Sequence, residues 1–518
     1  MGKEHFEGVG LINNSIELDF FENVLFDSKS IDFSQENIQK VYECFTFLEE
    51  FSKDKLIYGI TTGFGPMAQY RISDEDRIQL QFNLIRSHCS GVGSHIPPLY
   101  VKAGMLCRLI NILNAKSGIH PEAAILLKEF INHNIIPVIY EHGGVGASGD
   151  LVQLSHLALS LIGEGEVYYE GEVIPTAKAM EICGLKPISI RIREGLSLIN
   201  GTSIMTGISI VNILYAKRLF NWSVMASSVI NEIMDSYDDG FSDELNKVKK
   251  HSGQTYVASC MRSALKGSLF IKTRQNHLYS RKVTEEVIKE KVQEYYSLRC
   301  VPQILGAVYD TIEYTEKVVL NEAKSVNDNP IVDLETQNVY HGGNFHGDYI
   351  SLEMDKLKIV VTKLTMLMER QLNFLLNPKL NEKFSPFVNL GIPGLNLGMQ
   401  GVQFTATSTT AECQTLSFPN YIHSIPNNND NQDIVSMGTN SALITKKVIE
   451  NSFEVLAIYF ISLIQGIDNI EAKEKLAPAT RRIYDELRQL VPVFAEDTTK
   501  YREVLLVKNH LMNNTVNF

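Results

Sequence analysis

Apolar residues recur every three to four positions over residues 78–89, the spacing of one helix face. The same spacing runs for several turns over residues 355–376 (DKLKIVVTKLTMLMERQLNFLL) and stops at Asn377-Pro378, a helix-ending pair. Residues 441–467 predict a third long helix. Its stretch 455–464 is apolar all round, which predicts burial on every side. Strict alternation is rare: VYYEGEVIP, residues 167–175, predicts one short hairpin turning at Glu170-Gly171. No repeat and no low-complexity linker divides the chain. The pattern therefore predicts a mainly α protein, a bundle of long helices with one small β-hairpin. A division into residues 1–200 and 201–518 is expected, within one continuous fold.

Composition narrows the function classes. The chain has 518 residues, room for roughly three domains or one large helical one at about 150 residues each. Lys and Arg number 48 against 60 Asp and Glu, a net charge of −12, which argues against a nucleic-acid or anionic-membrane partner. The seven cysteines stand singly with no C-x-x-C, so neither a disulfide framework nor a zinc knuckle is indicated. The first residues lack the apolar core of a signal peptide. The run 455–464 falls short of the roughly 20 residues a membrane span needs. A cytoplasmic location is expected.

Four polar segments have the wrong composition for scaffold. They are Tyr58-Gly-Ile-Thr-Thr-Gly-Phe-Gly65, Gly143-Gly-Val-Gly-Ala-Ser-Gly-Asp150, Asn200-Gly-Thr-Ser203 and Asn427-Asn-Asn-Asp-Asn-Gln-Asp433. The bland reading of each is a solvated loop, because Gly and Asn supply positive φ. One of them also fits G-x-G-x-x-G, as Gly144-Val-Gly146-Ala-Ser-Gly149, between a strand-like run 135–140 and a helical run 151–162. A dinucleotide site needs a second strand closing a βαβ unit. That strand is missing, and so is any phosphate-loop motif. Ser148 lacks the G-x-S-x-G elbow of hydrolases. His341 and His346 have no third ligand at metal-binding spacing and read better as structural histidines. Tyr58, in a Gly-rich turn, is a possible acid/base group. A phenol's ordinary pKa near 10 must be lowered by its surroundings before it serves as a base near neutral pH.

The Ala147-Ser148-Gly149 triplet offers a different chemistry. In a sharp bend the Gly149 nitrogen can reach the Ala147 carbonyl carbon, since Gly has no Cβ to block the approach. Closure with loss of water gives a five-membered ring. Loss of a second water from the Ser148 side chain gives an exocyclic methylidene, an electrophile made without a bound cofactor.

The segment GGVGASGDLVQLSHLAL resembles the signature of the aromatic amino-acid lyases, the histidine, phenylalanine and tyrosine ammonia-lyases and related aminomutases. The resemblance runs from about Tyr58 to Ser436 through YGITTGFG, NGTS, YSLRCVPQ, NDNP, GNFHGD and NNDNQD in family order. Wording such as GFGPMAQYRI and MQGVQFTATSTTAE is most similar to bacterial tyrosine ammonia-lyases. The resemblance implies the long-helix fold of the histidine and phenylalanine ammonia-lyases. It implies that Ala147, Ser148 and Gly149 form 4-methylidene-imidazol-5-one (MIO), with no NAD, no PLP and no metal. It also implies a homotetramer whose sites combine residues from several subunits.

Roles carry over residue by residue. Tyr58 matches the catalytic tyrosine, the base for the β-proton. Gly65 lies in the same loop, which the family uses as a lid. Arg299 matches the arginine that grips the α-carboxylate, a task suited to a planar fork of donors, with Asn329 assisting. Tyr296, Asn200, Gln432 and Phe345 match groups around the MIO. Asn200 and Gln432 are placed to hydrogen-bond its oxygen. Ser87, His88, Gln303, Gln400 and Asn431 match substrate-binding positions. Simple packing is the competing role for Phe345, and a structural buried acid for Glu412.

Substrate choice turns on two positions. Ser87-His88 formally resembles the histidine enzymes. Gln432 stands where histidine enzymes typically carry Glu, and a neutral amide suits a phenol. His88 can then bond the phenol hydroxyl, and a site built that way rejects phenylalanine. L-Tyrosine elimination to trans-p-coumarate is expected, with histidine ammonia-lyase or tyrosine 2,3-aminomutase activity as alternatives. A nucleotide-binding oxidoreductase would keep an ordinary Ser148, and intact mass separates the two. A non-catalytic homologue would have lost key groups, yet Tyr58, Ser148, Arg299 and Gln432 are all present.

Overall fold

A computed structural model describes residues 9–10 and 16–518 apart from 281, 289 and 471. Helix accounts for 58% of the structure and strand for 7%, so the class is mainly α, as the spacing predicts. The three predicted helices are present as Arg77–His88, Asp348–Leu376 and Gly438–Asp468. The last two begin seven and three residues before their predicted starts. Two further long helices are Ser203–Ile233 and Val301–Lys324.

The predicted hairpin pairs Glu166–Tyr169 with Glu172–Pro175, turning at Glu170-Gly171, where Glu170 (φ 50°) and Gly171 (φ 86°) both take left-handed conformations. The strand-like run 135–140 splits. Ile136–Pro137 pairs antiparallel with the hairpin, and Tyr140–His142 pairs antiparallel with Val92–His95. This is not the parallel βαβ unit that a dinucleotide site requires, so the glycine fingerprint has no such context.

The chain divides into two units of three stretches each, rather than at residue 200. One takes the described parts of Met1–Leu214, Thr315–Asp355 and Pro419–Lys446; the other takes Tyr215–Tyr314, Lys356–Phe418 and Lys447–Phe518. The division falls inside four long helices, which is why composition along the chain does not reveal it.

In the first unit, helix Pro98–Leu113 starts with proline at its first position, where the missing N–H costs nothing, and is buried over almost its whole length. Ile57 and Ile60, beside Tyr58, pack in a core cluster with Cys44, Leu48, Val332 and Val339. This anchors the base of the 58–65 loop. In the second unit, Val455–Leu456–Ala457–Ile458 and Phe460–Ile461 are all essentially inaccessible, as predicted for a helix apolar all round. Each large apolar side chain there contributes roughly 1.5–3 kcal/mol by leaving water. Trp222 packs edge-on against Phe460 at 5.5 Å and donates its indole N–H to the Asn514 carbonyl at 3.0 Å. By length and composition, helix Gly438–Asp468 could cross a bilayer, contrary to the estimate from its short apolar run, but 89% of its most apolar window is buried within the protein.

Candidate active site

The Ala-Ser-Gly triplet sits where several segments of the first unit converge. Asp150 organises it. One of its carboxylate oxygens accepts from the Ile204 and Met205 amides at 2.8 and 2.9 Å, two first-turn donors of helix Ser203–Ile233 that would otherwise lack partners. The other accepts from the Thr439 hydroxyl at 2.6 Å. Asp150 is fully buried, and burial pushes its carboxyl up to about 6 despite these three donors. Its own amide donates to the Gly201 carbonyl at 2.8 Å. Gly149 lies beside Gly201 at φ 69°, and a Cβ there would overlap the Gly201 carbonyl oxygen. Only glycine fits that position.

Arg108 fixes the facing segment of the site, the end of helix Glu194–Ile199 and the residues after it. It is fully buried and donates to the Ser197 and Asn200 carbonyls and the Ser203 hydroxyl at 2.8, 2.7 and 3.1 Å. Burial lowers its guanidinium to about 10 while Asp328 and Asp150 oppose the shift. With its backbone so held, Asn200 donates from Nδ2 to the Ser148 carbonyl at 3.3 Å. Its Oδ1 is buried and, among the described residues, unpartnered. Gln432 donates from Nε2 to the Ser148 hydroxyl at 3.0 Å. Gln432 is itself set by backbone pairing with Asn427, and the turn between them holds Asn428, Asn429 and Asp430 all in left-handed φ. The Asn and Asp composition of this segment suits that backbone.

A cavity of about 570 Å³ opens onto Ser148. Tyr58, Gly65, Ser87, His88, Asn200, Asn329, Phe345, Asn431 and Gln432 line it, so the structure brings these predicted residues together with Ser148. Ala147 and Gly149 adjoin through the chain. The Tyr58 hydroxyl oxygen accepts from the Gly65 amide at 2.9 Å. Asn329 accepts from the Gly342 amide at 2.8 Å through Oδ1. At the end of helix Arg77–His88, the His88 Nδ1 lies 2.9 Å from the Leu84 carbonyl, and burial lowers the imidazole's pKa. His341 and His346 are engaged in structural contacts. The Tyr58 amide donates to His341 Nε2 at 3.4 Å, while His346 contacts Asp348 at 2.9 Å and the Ile434 carbonyl at 3.2 Å.

Tyr296, Arg299, Gln303 and Gln400 do not line the Ser148 cavity; they belong to the second unit. Arg299 and Gln303 border a separate hollow of about 330 Å³ with Asp239, Arg274 and Glu294. The Arg299 guanidinium lies over the Tyr296 ring at 4.8 Å and forms no ion pair among the described residues. Glu412 accepts from Asn451 Nδ2 at 2.7 Å, a structural contact in the second unit.

Residues 16–489 match the family described as aromatic amino acid lyase. The chain belongs to that family. It is 39% identical to a tyrosine 2,3-aminomutase of Chondromyces crocatus over 448 residues, 85% of this chain and 84% of that one. It is 37% identical to a histidine ammonia-lyase of Bacillus velezensis, covering 92% and 90% of the two chains. Among solved structures it superposes on a tyrosine aminomutase from Streptomyces globisporus with a TM-score of 0.93 at 32% identity, over 98% and 97% of the two chains. Membership of the aromatic amino acid lyases implies an MIO group. The residues fit one: a glycine-only position at 149, and two amides on Ser148, one with a buried oxygen unsatisfied.

Asp150, Arg108 and Asn428 escaped the sequence reading as functional positions. Arg108 had a signal: with Lys102 it is one of two cations inside the apolar run of residues 100–113. Asp150 and Asn428 stood inside quoted segments but had no assigned part.

Proposed function

We propose that this aromatic amino acid lyase eliminates ammonia from L-tyrosine to give trans-p-coumarate. The His88 ring carries the substrate reading. A carbonyl can only accept, so Nδ1, against the Leu84 oxygen, holds the ring proton. The other nitrogen is then an acceptor, and the lowered pKa keeps it one at neutral pH. A phenol O–H is the donor it matches. Gln432, a neutral amide, adds no charge to attract an imidazolium.

When formed, the MIO of Ala147, Ser148 and Gly149 supplies an electrophilic carbon for the substrate. Asn200 and Gln432 hold that segment through their amide N–H groups and are poised to stabilise negative charge on oxygen. Tyr58 takes the β-proton at its hydroxyl oxygen. The Gly65 N–H, donating to that oxygen, holds it in place. Asn329 and Phe345 close the substrate space, and the 58–65 loop excludes water from it. Arg299, with Tyr296, Gln303 and Gln400, completes the site from another subunit of a homotetramer, its free guanidinium taking the α-carboxylate.

A 2,3-aminomutase outcome, in which ammonia re-adds at Cβ, is the second reading, favoured by the tyrosine 2,3-aminomutase relative. Histidine is the third, favoured by Ser87-His88. Incubation with L-tyrosine, L-histidine and L-phenylalanine separately, with products identified by mass spectrometry, decides among them. p-Coumarate supports the proposal, β-tyrosine the second reading, and urocanate the third.

A further inference from the structure

The first unit contains another hollow, of about 390 Å³, which the proposed reaction does not use. Leu25, Leu99, Tyr168 and Tyr169 border it, the two tyrosines being neighbours in strand Glu166–Tyr169 whose rings leave opposite faces. Lys102, from helix Pro98–Leu113, brings an amine to it while only 9% exposed. Its Nζ donates to Asn134 Oδ1 at 2.6 Å, and among the described residues it has no carboxylate partner. Asn134 follows helix Pro121–Asn132 in a left-handed conformation, φ 52°, that Asn tolerates. Glu170 also borders the hollow, at the exposed tip of the hairpin, and makes no ion pair with Lys102.

A lysine that needed only to reach water would extend its head into it. This one is held inside by a neutral amide oxygen, and burial lowers its pKa. A desolvated cation without a counter-charge is costly until an anion joins it. Apolar and aromatic walls beside such a cation match a flat, mostly apolar anion, and the volume is within the ordinary range of small-molecule sites, roughly 300–1,000 Å³.

We propose that this hollow binds an aromatic carboxylate lacking an α-amino group, with its carboxylate on Lys102 Nζ and its ring against the wall that Leu25 and Leu99 share with the Tyr168–Tyr169 strand end. That is the chemical class of the elimination product, so the choice of ligand rests on the proposed function; the cation and its walls do not. An α-amino acid is disfavoured, because its ammonium would be brought close to that of Lys102. The chain thus carries a product-sensing site separate from the reacting centre.

The test is calorimetric titration of the full chain with 4-hydroxycinnamate and with benzoate, using wild type, Lys102→Gln and Asn134→Asp. Wild type is expected to show two classes of 4-hydroxycinnamate site. Lys102→Gln should lose one class, weakened at least tenfold, and keep turnover. Asn134→Asp leaves the buried lysine stem in place but gives the ammonium a carboxylate, and should lose the same class. Unchanged binding in either folded variant overturns the proposal. So does acetate binding at Lys102 as tightly as benzoate, or displacement from that class by L-tyrosine. If the chain forms no aryl acrylate yet binds benzoate in a Lys102-dependent way, the proposed function fails and this site stands.

Discussion

The backbone N–H of Gly65 points at the hydroxyl oxygen of Tyr58 across 2.9 Å. That donor comes from the same turn that carries the tyrosine and fixes where its hydroxyl oxygen sits. Gly65 sits at φ 52°, and a Cβ there would lie 2.8 Å from Asn428 Nδ2. Loop and base are therefore built as one piece, and Tyr58→Phe should remove the base while leaving the turn intact. We expect kcat for ammonia release to fall by about 10²–10⁴, the usual worth of a positioned acid or base. KM should change little, and Tm should stay within a few degrees of wild type. A Tyr58→Phe variant with near-normal kcat would transfer the base role elsewhere.

The triplet predicts a mass. Cyclisation followed by dehydration removes two waters, so intact wild-type protein should be two waters lighter than its translated sequence. Ser148→Ala has no side-chain hydroxyl to eliminate and should never reach that mass. Its activity should fall by several orders of magnitude. Gly149→Ala tests the same geometry from the other side, since its methyl would overlap the Gly201 carbonyl. Strain in the left-handed region alone costs on the order of 1–3 kcal/mol. We expect a lower Tm and a mass deficit that is partial or absent. Full translated mass in active wild-type enzyme would remove the MIO from the mechanism.

Helix periodicity made the fold class legible, because residues 355–376 and 441–467 repeat apolar positions for many turns. The unit division was not legible, since each unit gathers three stretches and four of the five boundaries fall inside helices. The residues around Ser148 were legible as clusters of Gly and Asn where a helical protein has little use for them. Their relation to one another was not. Asn200 meets Ser148 only because Arg108, far away in sequence, ties down the carbonyls of Ser197 and Asn200. Arg299 matches the family's carboxylate-gripping arginine, and spacing along one chain could not say that it borders a different hollow from Ser148.

Asp150 makes stability fall with pH in a defined window. Its carboxyl is raised from an ordinary value of 3.8 to about 6 by burial. The folded state therefore holds a proton that the unfolded state has already lost between those values. Its contribution is fully present below pH 4 and is lost as pH rises through 6. Two pKa units correspond to about 3 kcal/mol as an upper magnitude. Asp150→Asn keeps an oxygen for the Ile204 and Met205 amides, and Thr439 can turn its hydroxyl to accept. The stability difference between wild type and Asp150→Asn should thus shift in favour of the variant between pH 4 and pH 7, read from denaturant midpoints. A difference independent of pH would mean that the carboxyl ionises at its ordinary value.

Under the proposed function, His88 selects substrate by which nitrogen carries its proton. With Nδ1 committed to the Leu84 carbonyl, the free nitrogen accepts from a phenol and offers nothing to a bare phenyl ring. Replacing it with phenylalanine removes the acceptor and supplies an apolar surface. His88→Phe should cut kcat/KM for L-tyrosine by about 10²-fold or more and raise that for L-phenylalanine, since an unpaired buried polar group no longer penalises the smaller ring. Acid should mimic the first effect. Protonation turns the acceptor into a donor, and burial lowers the pKa, so the neutral ring persists to pH values below the ordinary histidine range. KM for L-tyrosine should stay flat from about pH 9 through the ordinary histidine range and climb only at more acid pH. His88→Phe should show no such climb. If KM instead rises on going from pH 6 to pH 8, the imidazolium is the form that binds substrate, and histidine-like recognition by a charged ring must replace the phenol reading.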